Sequence, residues 1–313
     1  MEFESARKLA STVLGEVQKV YVGKPELVKL AVATLLAGGH LLIEGYPGTG
    51  KTLLAKTLAK VIGGEFRRVQ GHSDILPTDI LGFHIYRLDG SREFVRGPVF
   101  TNVLMFDELS RAPTRTQAAL LEAMQEYRAT VDGITYPLPR PFMAVATQVT
   151  PRVAVGAYQI METLADRFHA RAPSYYNPPE DEVEIIRRAN AIYDPPVESV
   201  AKPAEVLELT ASLDELVHLS DAVAQYIVNL VTYLRSHEAV LYGPSHRASI
   251  HLAALSRAYA LMDGRDYVVP DDVKAVAVPV VAHKLRVREE YEAEGITAES
   301  LVEESLKKVP VPK

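Results

Sequence analysis

Apolar residues recur at every third or fourth position near the start of the chain, at Leu9, Val13, Val17 and Val20, a spacing that predicts an amphipathic helix. Val22-Gly23-Lys24-Pro25 interrupts it. A second helix follows with Leu27, Leu30, Ala31, Thr34 and Leu35 on one face, and Gly38-Gly39 ends it in the manner of a C-cap. The period then changes. Leu41-Leu42-Ile43 is a short apolar run, Leu54, Leu58, Val61 and Ile62 restore helical spacing, Gly63-Gly64 stops that helix, and residues 65–70 read as a strand. Strand, helix and strand in this order make a βαβ unit with parallel pairing.

Two alternating segments then fold back on themselves. Residues 83–88 and 91–95 flank Asp89-Gly90, and residues 128–131 and 134–138 flank Asp132-Gly133. Asp-Gly between alternating runs is a strong hairpin signal. Between the hairpins, Val103-Leu104-Met105-Phe106 is continuously apolar, as a central parallel strand covered on both faces must be, and it ends in Asp107-Glu108. Residues 113–126 read as a helix with Ala118, Leu121 and Met124 toward the core; residues 142–147 and 169–175 complete a set of five strands separated by helices. From Asn177-Pro178-Pro179-Glu180 onward the pattern is almost entirely helical, with Leu216, Val223, Ile227, Leu230 and Leu234 among its periodic positions. At 313 residues the chain exceeds the length at which one core usually stops growing. The expected division is an α/β part, residues 1–176, and a helical part, residues 177–313.

The turn after the first strand carries the clearest chemistry. Residues 45–52 read GYPGTGKT and fit the phosphate-cradling pattern G-x-x-x-x-G-K-[ST] between a strand and a helix. In the loop of Gly45, Pro47, Gly48, Thr49 and Gly50 the glycines would let backbone N–H groups turn inward as an anion nest, and the next helix, through Leu53, points its positive end at the same place. Lys51 would reach the outer phosphates of a nucleotide, and the Thr52 hydroxyl would hold Mg2+. Ligands of open α/β sheets bind at the carboxyl ends of the strands. Asp107 is therefore placed toward the metal and Glu108 toward an attacking water. Ser245 reads as an N-cap, which puts Arg247 in the first turn of a helix. The helix dipole disfavours a cation there, so the arginine is a candidate for meeting a phosphate.

Composition narrows the reading. The chain has no cysteine, which removes disulfides, thiolate metal sites and cysteine nucleophiles together. No apolar run approaches membrane-spanning length, and the first residues are acidic where a secretory leader would be basic, so a cytoplasmic protein without a membrane span is expected. A net charge of −6 argues against a general nucleic-acid binder. The histidines have no ligand spacing, so no transition metal is expected.

With these features placed, the chain resembles a MoxR-family AAA+ ATPase along nearly its whole length. The resemblance is carried by GGHLLIEGYPGTGKT, by GPVFTNVLMFDELSRAPTRTQAALLEAMQE over residues 97–126, by LADRF from Leu164, and by GPSHRA and GRDYVVPDDV further on. It implies a five-stranded parallel sheet between helices, followed by a helical lid, with the hairpins matching inserts in helix 2 and before the sensor 1 strand. It also implies ATP and Mg2+ as cofactors, and a homo-oligomer, a hexameric ring. By the same resemblance Val22 and Gly23 match the segment lining the adenine pocket, Arg167 matches an arginine finger that reaches a neighbouring subunit's site, Arg247 matches sensor 2, closing the lid on the nucleotide, and Arg111 matches an interface position. One departure stands out. The family's sensor 1 segment reads ATQNP, whereas this chain has Ala146-Thr147-Gln148-Val149-Thr150-Pro151. Thr150 is the substitute for the asparagine, with Gln148 the other candidate.

The function this implies is an ATP-hydrolysing, chaperone-like remodeller acting on a protein client, typically one with a von Willebrand factor A domain, in assembly, maturation or metal insertion. The alternatives are a nucleic-acid motor or loader and a slow nucleotide-dependent binding switch.

Overall fold

The computed structural model describes residues 1–149, 158–192 and 194–312. Helices α1 (Phe3–Val20) and α2 (Pro25–Leu36) lead into β1 (Leu41–Gly45), and α3 (Lys51–Val61) connects it to β2 (Phe66–Gln70). Next come α4 (Pro77–Leu81), the hairpin of β3 (Gly82–Tyr86) and β4 (Arg92–Arg96), then β5 (Val103–Asp107) and α5 (Thr114–Glu126). A second hairpin, β6 (Arg128–Val131) with β7 (Ile134–Pro137), precedes β8 (Met143–Gln148), α6 (Glu162–Ala165) and β9 (Ala170–Ser174).

The main sheet has the order β2-β5-β8-β1-β9, and every neighbouring pair is parallel. This is the five-stranded parallel sheet expected from the sequence. The interior strands are apolar without alternation because both faces are covered. Leu41, Ile43, Val103 and Met105 join one hydrophobic cluster, and Leu42, Leu104 and Phe106 join the other. Edge strand β9 carries Pro173, where a missing N–H costs no ladder bond.

Beyond β9 the chain forms α7 (Pro179–Arg187), α8 (Pro203–Leu216), α9 (Asp221–Ser236), β10 (Val240–Tyr242), α10 (His246–Met262), α11 (Pro270–Val281), β11 (Arg286–Val287), α12 (Glu289–Ala293) and α13 (Ala298–Lys308). Strands β10 and β11 pair antiparallel within a stretch whose sequence pattern is helical, because two or three residues are too few to express a period. The later helices are packed onto one face of the sheet. Residues from α1, α2, α3, α8, α9, α10, α11 and α13 share a single core with Ile43, Met105 and Val145. On α1 the buried stripe is Ala6, Ala10, Val13, Val17 and Val20, with Leu9 only at its margin. The small alanines allow close approach to α10, and each buried valine contributes on the order of 1.5 kcal/mol. Among the described residues, no helix is long and apolar enough to cross a membrane.

The hairpins are joined to each other. His84 on β3 is hydrogen-bonded through Nδ1 to the Asp132 carboxylate (2.9 Å) and through Nε2 to the Tyr136 hydroxyl (2.8 Å). The Phe94 and Tyr136 rings stack at 4.0 Å with planes 7° apart.

Candidate nucleotide site and a distant arginine pair

At the carboxyl end of β1 the chain passes so close to β9 that a Cβ on Gly45 would lie 2.0 Å from the Ser174 carbonyl oxygen. Gly50 has φ of +83° and faces the Tyr21 ring, where a side chain would be both strained and blocked. Helix α3 then starts at Lys51, whose ammonium donates to the carbonyls of Tyr46 (2.5 Å) and Gly45 (3.3 Å). Burial lowers the Lys51 pKa from its ordinary value, while Asp107 and Glu108 oppose that shift. Three residues not singled out from the sequence brace the loop. The Tyr21 hydroxyl donates to the Thr49 carbonyl (2.9 Å), Lys24 reaches the same oxygen (3.4 Å), and the Ser174 hydroxyl donates to Thr49 Oγ1 (2.9 Å). Burial pushes the Tyr21 phenol up to about 12, so it remains a donor across the physiological range.

Asp107 closes β5, and Glu108 follows with φ of +54°, a left-handed conformation costing on the order of 1 kcal/mol for a residue with a side chain. Thr147, at the end of β8, connects the two acids. Its hydroxyl donates to Asp107 Oδ1 (2.6 Å) and accepts the Glu108 backbone N–H (2.8 Å). Edge strand β2 supplies the other contacts. Arg68 donates to Asp107 Oδ2 (2.5 Å), and Gln70 Nε2 donates to Glu108 Oε2 (3.0 Å). Arg111, which the resemblance makes an interface residue, pairs with Glu108 of its own chain (3.0 Å). The parallel register Arg68↔Met105 and Gln70↔Asp107 is what brings these residues together.

One cavity of about 680 Å3 collects most of the expected site. It is lined by Val22, Gly45, the loop from Pro47 to Leu53 with Lys51 and Thr52, and by Asp107, Glu108 and Thr147. Its volume falls in the range of small-molecule pockets. Tyr176, Asn177, Ile185 and Ile186 form a further wall. Gly23 stands beside the cavity, where a Cβ would lie 2.3 Å from Asn177 Nδ2 and 2.4 Å from Asp181 Oδ2. Gln148 reaches the cavity, but its amide donates to Glu44 (2.8 Å). Thr150 lies outside the described residues. Thr52 and Asp107 present oxygen donors on the cavity that holds Lys51, a donor set that suits a hard divalent cation.

The two remaining arginines are elsewhere. Arg167 precedes β9, and the next loop residue but one, His169, donates its backbone N–H to the carbonyl of His40, the residue before β1 (2.8 Å). The segment therefore lies at the amino-terminal edge of the sheet, separated from the phosphate loop by strands of five residues, roughly 16 Å long. Arg247 lies there too. Ser245 caps α10 as expected, accepting the Arg247 backbone N–H (3.1 Å), and its hydroxyl donates to Asp166 (2.7 Å). The Arg247 guanidinium pairs with the same carboxylate (3.0 Å) and leans on Gln125 Oε1 (3.4 Å), which also accepts from Arg167 Nη2 (2.7 Å). Arg247, which by the resemblance closes the lid on the nucleotide, does not line the cavity that holds Lys51 in this arrangement: packing of α10 on α1, α2 and α11 sets its first turn beside Arg167. Two like charges converging on one amide oxygen are unfavourable unless they share an anion. Arg167 Nε is also buried, with no hydrogen-bond partner among the described residues.

Beneath this pair lies a group of histidines. His40 accepts the Ala144 N–H through Nδ1 (3.1 Å) and donates through Nε2 to the Met124 carbonyl (2.8 Å). The His169 and His251 rings stack at 3.7 Å. Burial lowers His40 to about 4 and drives His251 far below its ordinary value. These rings stay neutral in the folded chain but charge in the unfolded one below about pH 6.5. The unfolded state therefore binds more protons as pH falls from 6.5 toward 4, and stability is lost across that window. His40 alone accounts for about 2 kcal/mol at pH 5. Thermal melts between pH 7.5 and 5 are expected to show a fall of about 5 °C or more, with a shallower slope in His40→Gln. A flat profile in the native sequence would contradict the neutral assignment.

Known proteins bear on this geometry. The family model for ATPases associated with various cellular activities (AAA) matches residues 40–170, and the model for the AAA lid domain matches residues 232–305. Chaperone MoxR1 of Mycobacterium tuberculosis is 38% identical over 95% of this chain and 81% of its own length. Protein YeaC of Bacillus subtilis is 36% identical over 99% of this chain and 97% of its own. A solved chain from Cytophaga hutchinsonii superposes with a TM-score of 0.90 at 36% identity, covering 99% of this chain and 97% of that one.

Proposed function

The chain belongs to the MoxR family of AAA+ ATPases, and from that premise we propose that it hydrolyses ATP in a ring of identical copies to remodel a protein client. The observation that carries the proposal is the separation of the charges. The phosphate loop, Asp107 and Glu108 line one cavity, and the Arg167–Arg247 pair stands at the opposite edge of the sheet. A complete site then needs two copies, with the arginine pair of one presented to the cavity of the next. This supports a closed ring, a hexamer by resemblance, over a working monomer.

Within that site Lys51 and the loop amides hold the outer phosphates. Val22 and the wall from Tyr176 to Ile186 enclose the base. Glu108 takes the proton of the attacking water. Thr147 sets the orientation of both acids, while Gln70 and Arg111 hold the Glu108 carboxylate. Thr52 and Asp107 would hold Mg2+, which supplies positive charge to the phosphates when bound. Arg167 and Arg247 from the neighbouring copy meet the charge that builds on the transferring phosphoryl group. The division into a nucleotide-binding part, residues 1–176, and a lid, residues 177–313, is part of the proposal, as is a cytoplasmic site of action where ATP is available.

The client is proposed on likeness to MoxR proteins: a von Willebrand factor A domain protein, acted on in assembly, maturation or metal insertion. Glu108→Gln protein held in ATP is expected to form the ring by light scattering and to retain such a client from a lysate. Retention of nucleic acid alone would overturn the assignment in favour of a nucleic-acid motor.

A further inference from the structure

The Arg167 loop is held from behind by a buried lysine that the nucleotide chemistry does not use. Lys284 ends a 3-10 turn, Ala282–Lys284, after α11 and is 5% exposed. Its ammonium donates to the carbonyl of Asp166 (2.7 Å) and to that of Phe168 (2.5 Å), the peptide oxygens of the two residues flanking Arg167. His283 adds a bond from Nε2 to the Phe168 carbonyl (3.1 Å). Burial pulls the Lys284 ammonium down to about 7, with Asp166 opposing and Arg247 reinforcing the shift. The Asp166 carboxylate is committed to Ser245 and Arg247, so the lysine is met by carbonyl dipoles rather than by a dedicated counter-ion. Burying an ammonium in this way is costly, and both of these hydrogen bonds fall on one tripeptide, residues 166–168.

We propose that Lys284 is a positioning residue for Arg167: a strut from the lid that fixes the backbone on both sides of the arginine and so aims its guanidinium out of the chain toward a neighbouring copy's nucleotide. The segment between α6 and β9 is held on its N–H side by Asp166 to the Glu162 carbonyl (2.9 Å), Arg167 to Leu164 (3.0 Å) and Phe168 to Ala165 (3.1 Å), and Lys284 holds it on the carbonyl side, tying it to the chain after α11. Phe168 anchors its side chain in the second core, and the Arg167 guanidinium is tied to Gln125 and to the Thr163 carbonyl. Without the ammonium, the Asp166 and Phe168 carbonyls lose their common donor, the Phe168 carbonyl keeps only His283, and the segment that carries Arg167 is released from the turn after α11. Lys284 does not line the cavity that holds Lys51 in its own chain, so its effect is exerted through the neighbour.

The inference rests on the reading that Arg167 works across an interface, and mixing experiments separate the two. Lys284→Met keeps the side-chain length and removes its donors. Alone it is expected to lower kcat for ATP about tenfold or more with KM within about twofold, because the finger acts on the transition state. Mixed with Glu108→Gln copies, which cannot turn over but carry an intact Arg167 loop, it is expected to recover activity above either variant alone. A purely structural role for Lys284 would give no such recovery. Arg167→Ala with Glu108→Gln is the control. Recovery of the control without recovery of Lys284→Met overturns the inference alone, as does full turnover by Lys284→Met by itself. If neither mixture recovers, the shared-site reading falls and the inference with it. Should Lys284→Met melt below the assay temperature, Lys284→Gln replaces it in the same mixtures.

Discussion

Glu108→Gln is expected to bind ATP as the native protein does and to lose steady-state hydrolysis by a factor on the order of a hundred to ten thousand, the range for removing a general base. The carboxylate lines the cavity, sits on a strained backbone at φ +54°, and is held through Oε2 by Gln70 and Arg111. An amide of the same shape keeps the packing but cannot accept the proton of the attacking water. Lys51→Ala is the contrasting case. It removes the ammonium from the phosphate loop and is expected to abolish nucleotide binding itself, measured by fluorescent ATP analogue titration. Isotope-labelled phosphate release measures the first variant. Full turnover in Glu108→Gln would remove Glu108 from the catalytic assignment and move attention to the altered segment after β8.

Arg167→Ala is expected to lower turnover by on the order of a thousandfold or more, the scale of an arginine finger, without weakening ATP binding. The reason is distance: Arg167 and Arg247 stand at the amino-terminal edge of the sheet, and neither lines the cavity that holds Lys51. A loss of catalysis from so remote a site requires a second chain. Mixed with Glu108→Gln copies, Arg167→Ala should therefore regain activity. Arg247→Ala should behave in the same way, since both guanidiniums lean on Gln125. An Arg247→Ala defect that no mixing relieves would restore the same-chain reading of that residue.

What is legible in the sequence is what local chemistry specifies. The Gly45–Thr52 turn, the apolar strand ending in Asp107-Glu108, both Asp-Gly hairpins and the Ser245 cap each announce themselves within about ten residues. The five-stranded sheet follows from them. The supporting contacts do not announce themselves. Thr147, Arg68 and Gln70 reach the acids only because β8 and β2 flank β5 in a particular register, and register between distant strands leaves no mark in either strand alone. Arg247 stands out in the sequence as a charge out of place, but its location depends on α10 packing against helices more than two hundred residues earlier. The histidines look scattered along the chain because β1, β9 and α10 bring them together only in the folded state.

The link between the hairpins has a mechanical meaning. Leu88 is exposed at the tip of the first hairpin, and His84 and Phe94 lock that hairpin to Asp132 and Tyr136 of the second. The second is bound to α5, since the Glu122 carboxylate accepts from the Thr130 N–H (3.0 Å) and hydroxyl (2.8 Å). Helix α5 begins only a few residues after Glu108. The two hairpins and the helix are therefore tied into one unit. A push on the exposed loop would be carried through side-chain contacts to α5, the helix that follows Glu108, instead of being taken up in a compliant turn.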